Sequence, residues 1–102
     1  MDSIQTDFTR LLGLTVPLVQ APIGGVSTPA LAAAVSNAGA LGMLSITWRE
    51  TDRLRSLLRE TRSLTSRPFG VNLVLAWDPH ERLAIALEGG VRVVSFFWGD
   101  PA

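Results

Sequence analysis

The residues of this chain with chemistry to offer are few, and they gather at one kind of place, the ends of apolar runs. Asn72 stands inside the run Phe69-Gly70-Val71-Asn72-Leu73. Asparagine is depleted in strands, and a carboxamide is costly among apolar groups unless paired. Asn72 is therefore either a ligand-holding group or a core amide with its own partner. The run Pro17-Leu18-Val19-Gln20-Ala21-Pro22-Ile23 ends on Gly24-Gly25, where either backbone comes close to a ligand or the chain simply turns. Trp48, Trp77 and Trp98 each follow an apolar run. They form either an aromatic wall for an apolar ligand or local packing over helix tops. Ser45 and Ser95 lie near run ends, as ligand-facing or as structural hydroxyls.

Other chemistries are excluded by composition. There is no cysteine, so disulfides, thiolate nucleophiles and cysteine metal sites are absent, which fits a reducing compartment. His80 is the single histidine and falls in the first turn of a predicted helix, an exposed place for a base. No carboxylate pair, triad or metal cluster takes its place, so no catalytic or metal-ligating residue is assigned. Nine basic and nine acidic side chains cancel, which leaves no field to gather nucleic acid or anionic lipid. The early acid in Met1-Asp2-Ser3-Ile4-Gln5 argues against a secretory signal and for a cytoplasmic protein. The longest apolar tract, Ala30 to Leu44, is broken by Ser36-Asn37 and Gly39, so it reads as helix and strand and not as a membrane span.

The elements that must position these residues follow from period and punctuation. A chain of 102 residues, 47% hydrophobic and 18% charged, is expected to form one small domain that buries apolar surface. Strands are predicted to begin near Pro17, Ala40, Phe69 and Val91. Between them lie three predicted helices. The first has Thr28 as N-cap and Pro29 at its first position, carries Leu31, Ala34, Val35 and Ala38 on one face, and ends at Gly39. The second follows Thr47-Trp48-Arg49-Glu50, which has capping-box spacing, and aligns Leu54, Leu57, Leu58 and Leu64. The third opens at Asp78-Pro79-His80-Glu81, presents Leu83, Ala86 and Leu87, and closes at Gly89-Gly90. Gly99-Asp100-Pro101-Ala102 reads as the start of a fourth.

Strands as apolar as Val91-Arg92-Val93-Val94-Ser95-Phe96-Phe97, joined by helical crossovers, predict an α/β fold with a parallel sheet. The sheet is either open or part of a barrel. No Gly-x-Gly-x-x-Gly and no P-loop follows any strand, which removes the nucleotide-binding fingerprints of the open sheet. In a barrel the three tryptophans would converge on the mouth where the βα loops collect.

Five segments in order carry a resemblance. They are Leu12-Gly13-Leu14-Thr15-Val16-Pro17-Leu18-Val19-Gln20-Ala21-Pro22; Ser27-Thr28-Pro29 with Leu31-Ala32-Ala33-Ala34-Val35-Ser36-Asn37-Ala38-Gly39; Leu41-Gly42; Arg67-Pro68-Phe69-Gly70-Val71-Asn72-Leu73; and Val93-Val94-Ser95-Phe96. Over nearly its whole length the chain resembles the nitronate monooxygenase family, also called 2-nitropropane dioxygenase-like, FMN-dependent TIM-barrel enzymes.

The resemblance implies a single partial TIM-barrel domain over residues 1–102, about half of a (β/α)₈ barrel with four strands and three helices, since a full barrel takes roughly 250 residues. It implies FMN as cofactor, with Asn72 hydrogen-bonding the flavin and Ala21, Pro22, Ile23 and Gly24 along the isoalloxazine ring. Their exposed backbone would meet its polar edge. The family usually has Met where Ile23 stands, an apolar exchange that keeps packing against the ring possible. Substrates would be a nitronate or nitroalkane and dioxygen, giving a carbonyl compound and nitrite. The resemblance does not supply a role for the tryptophans; their places after the strands put Trp48, Trp77 and Trp98 near substrate or flavin edge. The family's histidine base lies in a later glycine-rich segment and does not match His80, and the barrel's phosphate loops follow later strands. Weak or no activity is therefore expected of these residues alone. Open sheet edges predict self-association. The alternatives are a non-catalytic barrel remnant or assembly piece, or a fragment of an enoyl-reductase-like flavin barrel.

Overall fold

The first helix, α1 (Asp7–Leu12), is one that the sequence pattern does not predict. Its cap is a reciprocal pair of threonines: the Thr6 hydroxyl accepts from the Thr9 N–H at 3.1 Å, and the Thr9 hydroxyl accepts from the Thr6 N–H at 2.7 Å. Thr9 does what a glutamate or glutamine usually does at that position. Gly13, at φ 70°, ends the helix in the left-handed conformation that glycine adopts without strain. The structure is a computed structural model and describes residues 3–24 and 26–100; Gly25 of the predicted turn and Pro101-Ala102 of the predicted fourth helix lie outside the described residues.

The remaining elements are α2 (Pro29–Asn37), β1 (Gly42–Ser45), α3 (Thr51–Leu64), β2 (Phe69–Val74), α4 (His80–Glu88) and β3 (Val93–Phe97). The strands form one parallel sheet in the order β1-β2-β3. Three strands and four helices are thus described, where the sequence predicts four and three. The predicted strand from Pro17 is reduced to a single parallel bridge, Val19 to Leu41. Its reason is local. Pro17 and Pro22 have no N–H to donate, and the Met43 N–H is taken at 3.1 Å by the side-chain Oε1 of Gln20 instead of by a backbone carbonyl.

Helices α2, α3 and α4 cover one face of the sheet, where Leu44, Ile46, Phe69, Val71 and Leu73 meet Ala32, Leu54, Leu58, Ile85 and Ala86. The opposite face is closed at the N-terminal end of the strands by Leu12 and Leu14, packed on Leu41, Met43 and Val93. Among the described residues no helix is long and apolar enough to cross a membrane.

Three expected helix details are corrected by packing. Thr28 caps α2 as predicted, accepting from Leu31 N–H at 3.1 Å. Its buried face, however, is Ala32, Ala33 and Ser36, whereas Leu31, Ala34 and Ala38 are exposed. Contact here is backbone to backbone, since a Cβ on Gly42 would lie 2.0 Å from the Ala32 carbonyl oxygen. Only small residues allow that approach. In α3 the helix starts after Glu50 with no side-chain cap, because the Thr47 hydroxyl is used elsewhere: it accepts from the buried Val74 N–H at 2.8 Å. Leu54 and Leu58 are buried as predicted, but Leu64 is exposed and Thr61 fills its place. In α4, Ile85 and Ala86 are buried while Leu87 is exposed, and Pro79 is the N-cap, again without a side-chain bond.

One hydroxyl joins helix to sheet. Ser36 Oγ accepts from Gly42 N–H at 3.0 Å and donates to the Pro68 carbonyl at 2.9 Å. Ser36→Ala leaves the buried Gly42 N–H and the part-buried Pro68 carbonyl without this partner, so a loss of about 2 kcal/mol in unfolding free energy is expected in urea titration. Gly42→Ala, forced against the Ala32 carbonyl, is expected to lose roughly 3 kcal/mol or more.

Candidate functional site

Alternation along β2 sends Phe69, Val71 and Leu73 to the helices and Gly70, Asn72 and Val74 to the other face. Parallel register then sets Ser45 beside Asn72 and Asn72 beside Ser95. The three polar side chains form one row, directly above the Met43 and Val93 layer that the Leu12 and Leu14 plug covers. Asn72 is only 8% exposed, and its Oδ1 accepts from Ser95 Oγ at 2.6 Å. Among the described residues its Nδ2 donates to nothing. One end of the carboxamide is held and the other is uncommitted. Because a hydroxyl both donates and accepts, Ser95 would hold the amide in either orientation.

The turn after the bridge is less open than the sequence suggests. Ile23 N–H donates to Ser27 Oγ at 2.7 Å, and the Ile23 carbonyl accepts from Ser27 N–H at 2.8 Å and from Val26 N–H at 3.1 Å. Ile23 therefore has neither backbone group free, although its side chain is exposed. Ser27, buried and doubly engaged, is the residue that shapes this turn, and only its place before the Thr28 cap marks it in the sequence. Among the described residues the backbone groups of Ala21 and Gly24 and the Pro22 carbonyl make no hydrogen bond, so of the predicted ring-facing residues only Ile23 has its polar backbone fully engaged.

Gln20 carries a buried amide that the sequence reading passes over. Its Oε1 is spent on Met43, and its buried Nε2 has no partner among the described residues. The signal was the one that singled out Asn72, an amide inside an apolar run. A buried donor left unpaired costs about 1–3 kcal/mol, which the fold tolerates here.

The tryptophans converge. The Trp48 and Trp77 ring centroids are 4.7 Å apart at 59°, and those of Trp77 and Trp98 are 4.8 Å apart at 80°. All three remain open, at 65%, 44% and 65% exposure. Trp48 borders the turn: a Cβ on Gly24 would be 3.9 Å from both the Trp48 ring and Ser45 Oγ. The loop that carries Trp48 is tied to α4 by Arg82 Nε, which donates to the Arg49 carbonyl at 2.9 Å. His80 stands apart, exposed on the first residue of α4.

Trp98 has φ 58°, left-handed backbone that a bulky residue rarely adopts. That conformation costs roughly 1–2 kcal/mol, and an edge-on aromatic contact returns only about 0.5–1.5 kcal/mol. The two nearly cancel, so packing alone gives little reason for an indole at this position. Trp98→Gly, which relieves the backbone as it removes the ring, is expected to change unfolding free energy by less than about 1 kcal/mol in urea titration. A loss of 2 kcal/mol or more would make Trp98 a packing residue.

Comparison with known proteins bears on the family and the fold. Residues 5–102 match the family model described as nitronate monooxygenase. A nitronate monooxygenase of Pseudomonas aeruginosa is 62% identical over 66 residues, covering 65% of this chain and 19% of that protein. FabK from Thermotoga maritima superposes with a TM-score of 0.91 at 36% identity, over 97% of this chain and 32% of that one. A nitroalkane oxidase from Streptomyces ansochromogenes gives 0.77 at 36% identity, over 94% of this chain and 37% of that one. The chain thus spans about a third of the solved chains it matches, at 32% and 37%. With the family match running over nearly all its residues and the parallel βα order reproduced in the solved relatives, the chain belongs to the nitronate monooxygenase family.

Proposed function

We propose that this chain supplies the ring-facing wall of a flavin site in an FMN-dependent enzyme that oxidises nitronates with dioxygen to a carbonyl compound and nitrite. The observation that carries the reading is the Asn72 carboxamide, held at one end by Ser95 and uncommitted at the other, in a row of polar groups at the C-terminal half of the strands. Barrels of this kind place ligands at that end.

The residues fit a flavin ring on their own chemistry. Asn72 offers a donor or acceptor to the ring edge, which carries both. Ala21 offers backbone N–H and C=O, Pro22 a carbonyl, and the Ile23 side chain and Gly24 an apolar, unobstructed approach. FMN when bound would supply the electron transfer between nitronate and dioxygen. The chain's part is to orient the ring through Asn72 and to shield it with the Trp48 side of the site. None of these contacts meets a phosphate.

Two tests follow. Added FMN should bind weakly, and riboflavin should bind within about threefold of it, because the contacts are all to the ring; the absorption and fluorescence of the flavin report both. Asn72→Ala should weaken binding roughly tenfold, the value of one hydrogen bond of about 1.4 kcal/mol. A chain that leaves FMN spectra unchanged at millimolar concentration removes the flavin reading.

The proposal extends to self-association. On β2 every residue is buried, but Phe96 and Phe97 of β3 are exposed and its outer edge pairs with no described strand. An open edge with apolar side chains is a template for another strand. Sedimentation should show a dimer or larger species, and a monomer with a cooperative melt would count against this part of the reading.

A further inference from the structure

The three indoles form one continuous face across the loops after β1, β2 and β3. We infer that Trp48, Trp77 and Trp98 bind the aryl ring of a nitroalkane or its nitronate, so that the site takes aryl-bearing substrates in preference to short aliphatic ones. The inference rests on the flavin reading for the nitro group and on the indole geometry for the ring.

The geometry favours a ring over an alkyl chain. At 59° and 80° the indoles are tilted and edge-to-face, so the series ends in exposed faces and edges on Trp48 and Trp98. A further flat ring can join such a series by the same edge-to-face contact, whereas an alkyl group gains only apolar area. The nitro group also has a counterpart. Among the described residues no indole N–H donates a hydrogen bond, and the two oxygens of a nitro or nitronate group are acceptors.

Position points the same way. Trp48 borders the Gly24 turn, which Ser45 borders as well, so the aromatic face adjoins the residues proposed to hold the flavin ring. A ligand with its ring on the indoles would have its nitro carbon toward that wall. Local packing explains the arrangement poorly, because it would bury the indoles and would not select left-handed backbone at Trp98.

The test follows the three indole N–H signals of the ¹⁵N-labelled chain during titration with (2-nitroethyl)benzene and, separately, nitroethane. Saturable movement of the indole signals is expected, with a midpoint at least fivefold lower for the aryl compound. Trp77→Leu should raise that midpoint at least fivefold, and Trp48→Leu should do so as well, which keeps the test available if the first variant misfolds. A ratio below fivefold between the two compounds, or midpoints unmoved in both folded variants, overturns the inference. So do indole signals that respond to protein concentration alone, since the face would then be covered by a second copy. Flavin absorption on the same samples keeps the two readings apart. FMN bound without ring preference overturns only this inference, and ring preference without FMN overturns only the flavin reading.

Discussion

The Ser36 hydroxyl is the contact on which the rest of the arrangement depends. It touches the first residue of β1 through the Gly42 N–H and the residue just before β2 through the Pro68 carbonyl. Gly42 pairs with Phe69, so one buried hydroxyl on α2 holds the starts of both strands level. In a strand a slip of one residue exchanges the faces. Were β2 to slip, Asn72 would enter the helix-side core in place of Val71, and Phe69 would leave it. The close approach of α2 that Gly42 permits is therefore also what places the site's amide.

Above that anchor the inner face of the sheet is layered. Leu12 and Leu14 seal the Met43 and Val93 level, Ser45, Asn72 and Ser95 form the polar level, and the indoles stand at the loops beyond. The order has a physical logic. An apolar seal excludes water from one end, which raises the cost of any unpaired polar group above it, and a row of hydroxyls and an amide meets that cost partly among its own members. The helix side carries none of this chemistry; there Arg62, 4.7 Å over the Phe69 ring and bonded to the Gly90 carbonyl, simply covers the sheet's lower edge.

Several of these features were legible in the residues. Thr28-Pro29 announced a helix start, and Asn72 in an apolar run announced a polar group with a reason to be there. Tryptophans after successive strands announced a shared end. What could not be read was governed by contacts distant in the chain. Thr47 has the spacing of a helix cap, yet the buried Val74 N–H, 27 residues on, needs its oxygen more. On α2 the leucine looks like the core residue, but backbone contact with β1 selects alanine and serine. Ile23 looked open at the site until Ser27 took both its backbone groups.

By itself, then, the amino-acid sequence determined the parallel βα order, the family, and which few residues carry polar or aromatic chemistry, because period, capping and residue type act over one or two turns of chain. Tertiary structure alone decided that, among the described residues, Asn72 is held by Ser95 with its Nδ2 uncommitted, that Gln20 leaves a donor buried, and that the Trp77 ring meets both Trp48 and Trp98 within 5 Å. Those outcomes turn on strand register and on which of two competing groups wins a given N–H. Neither is a local property of the chain, since each is settled only when residues some 21 to 29 positions apart are packed together.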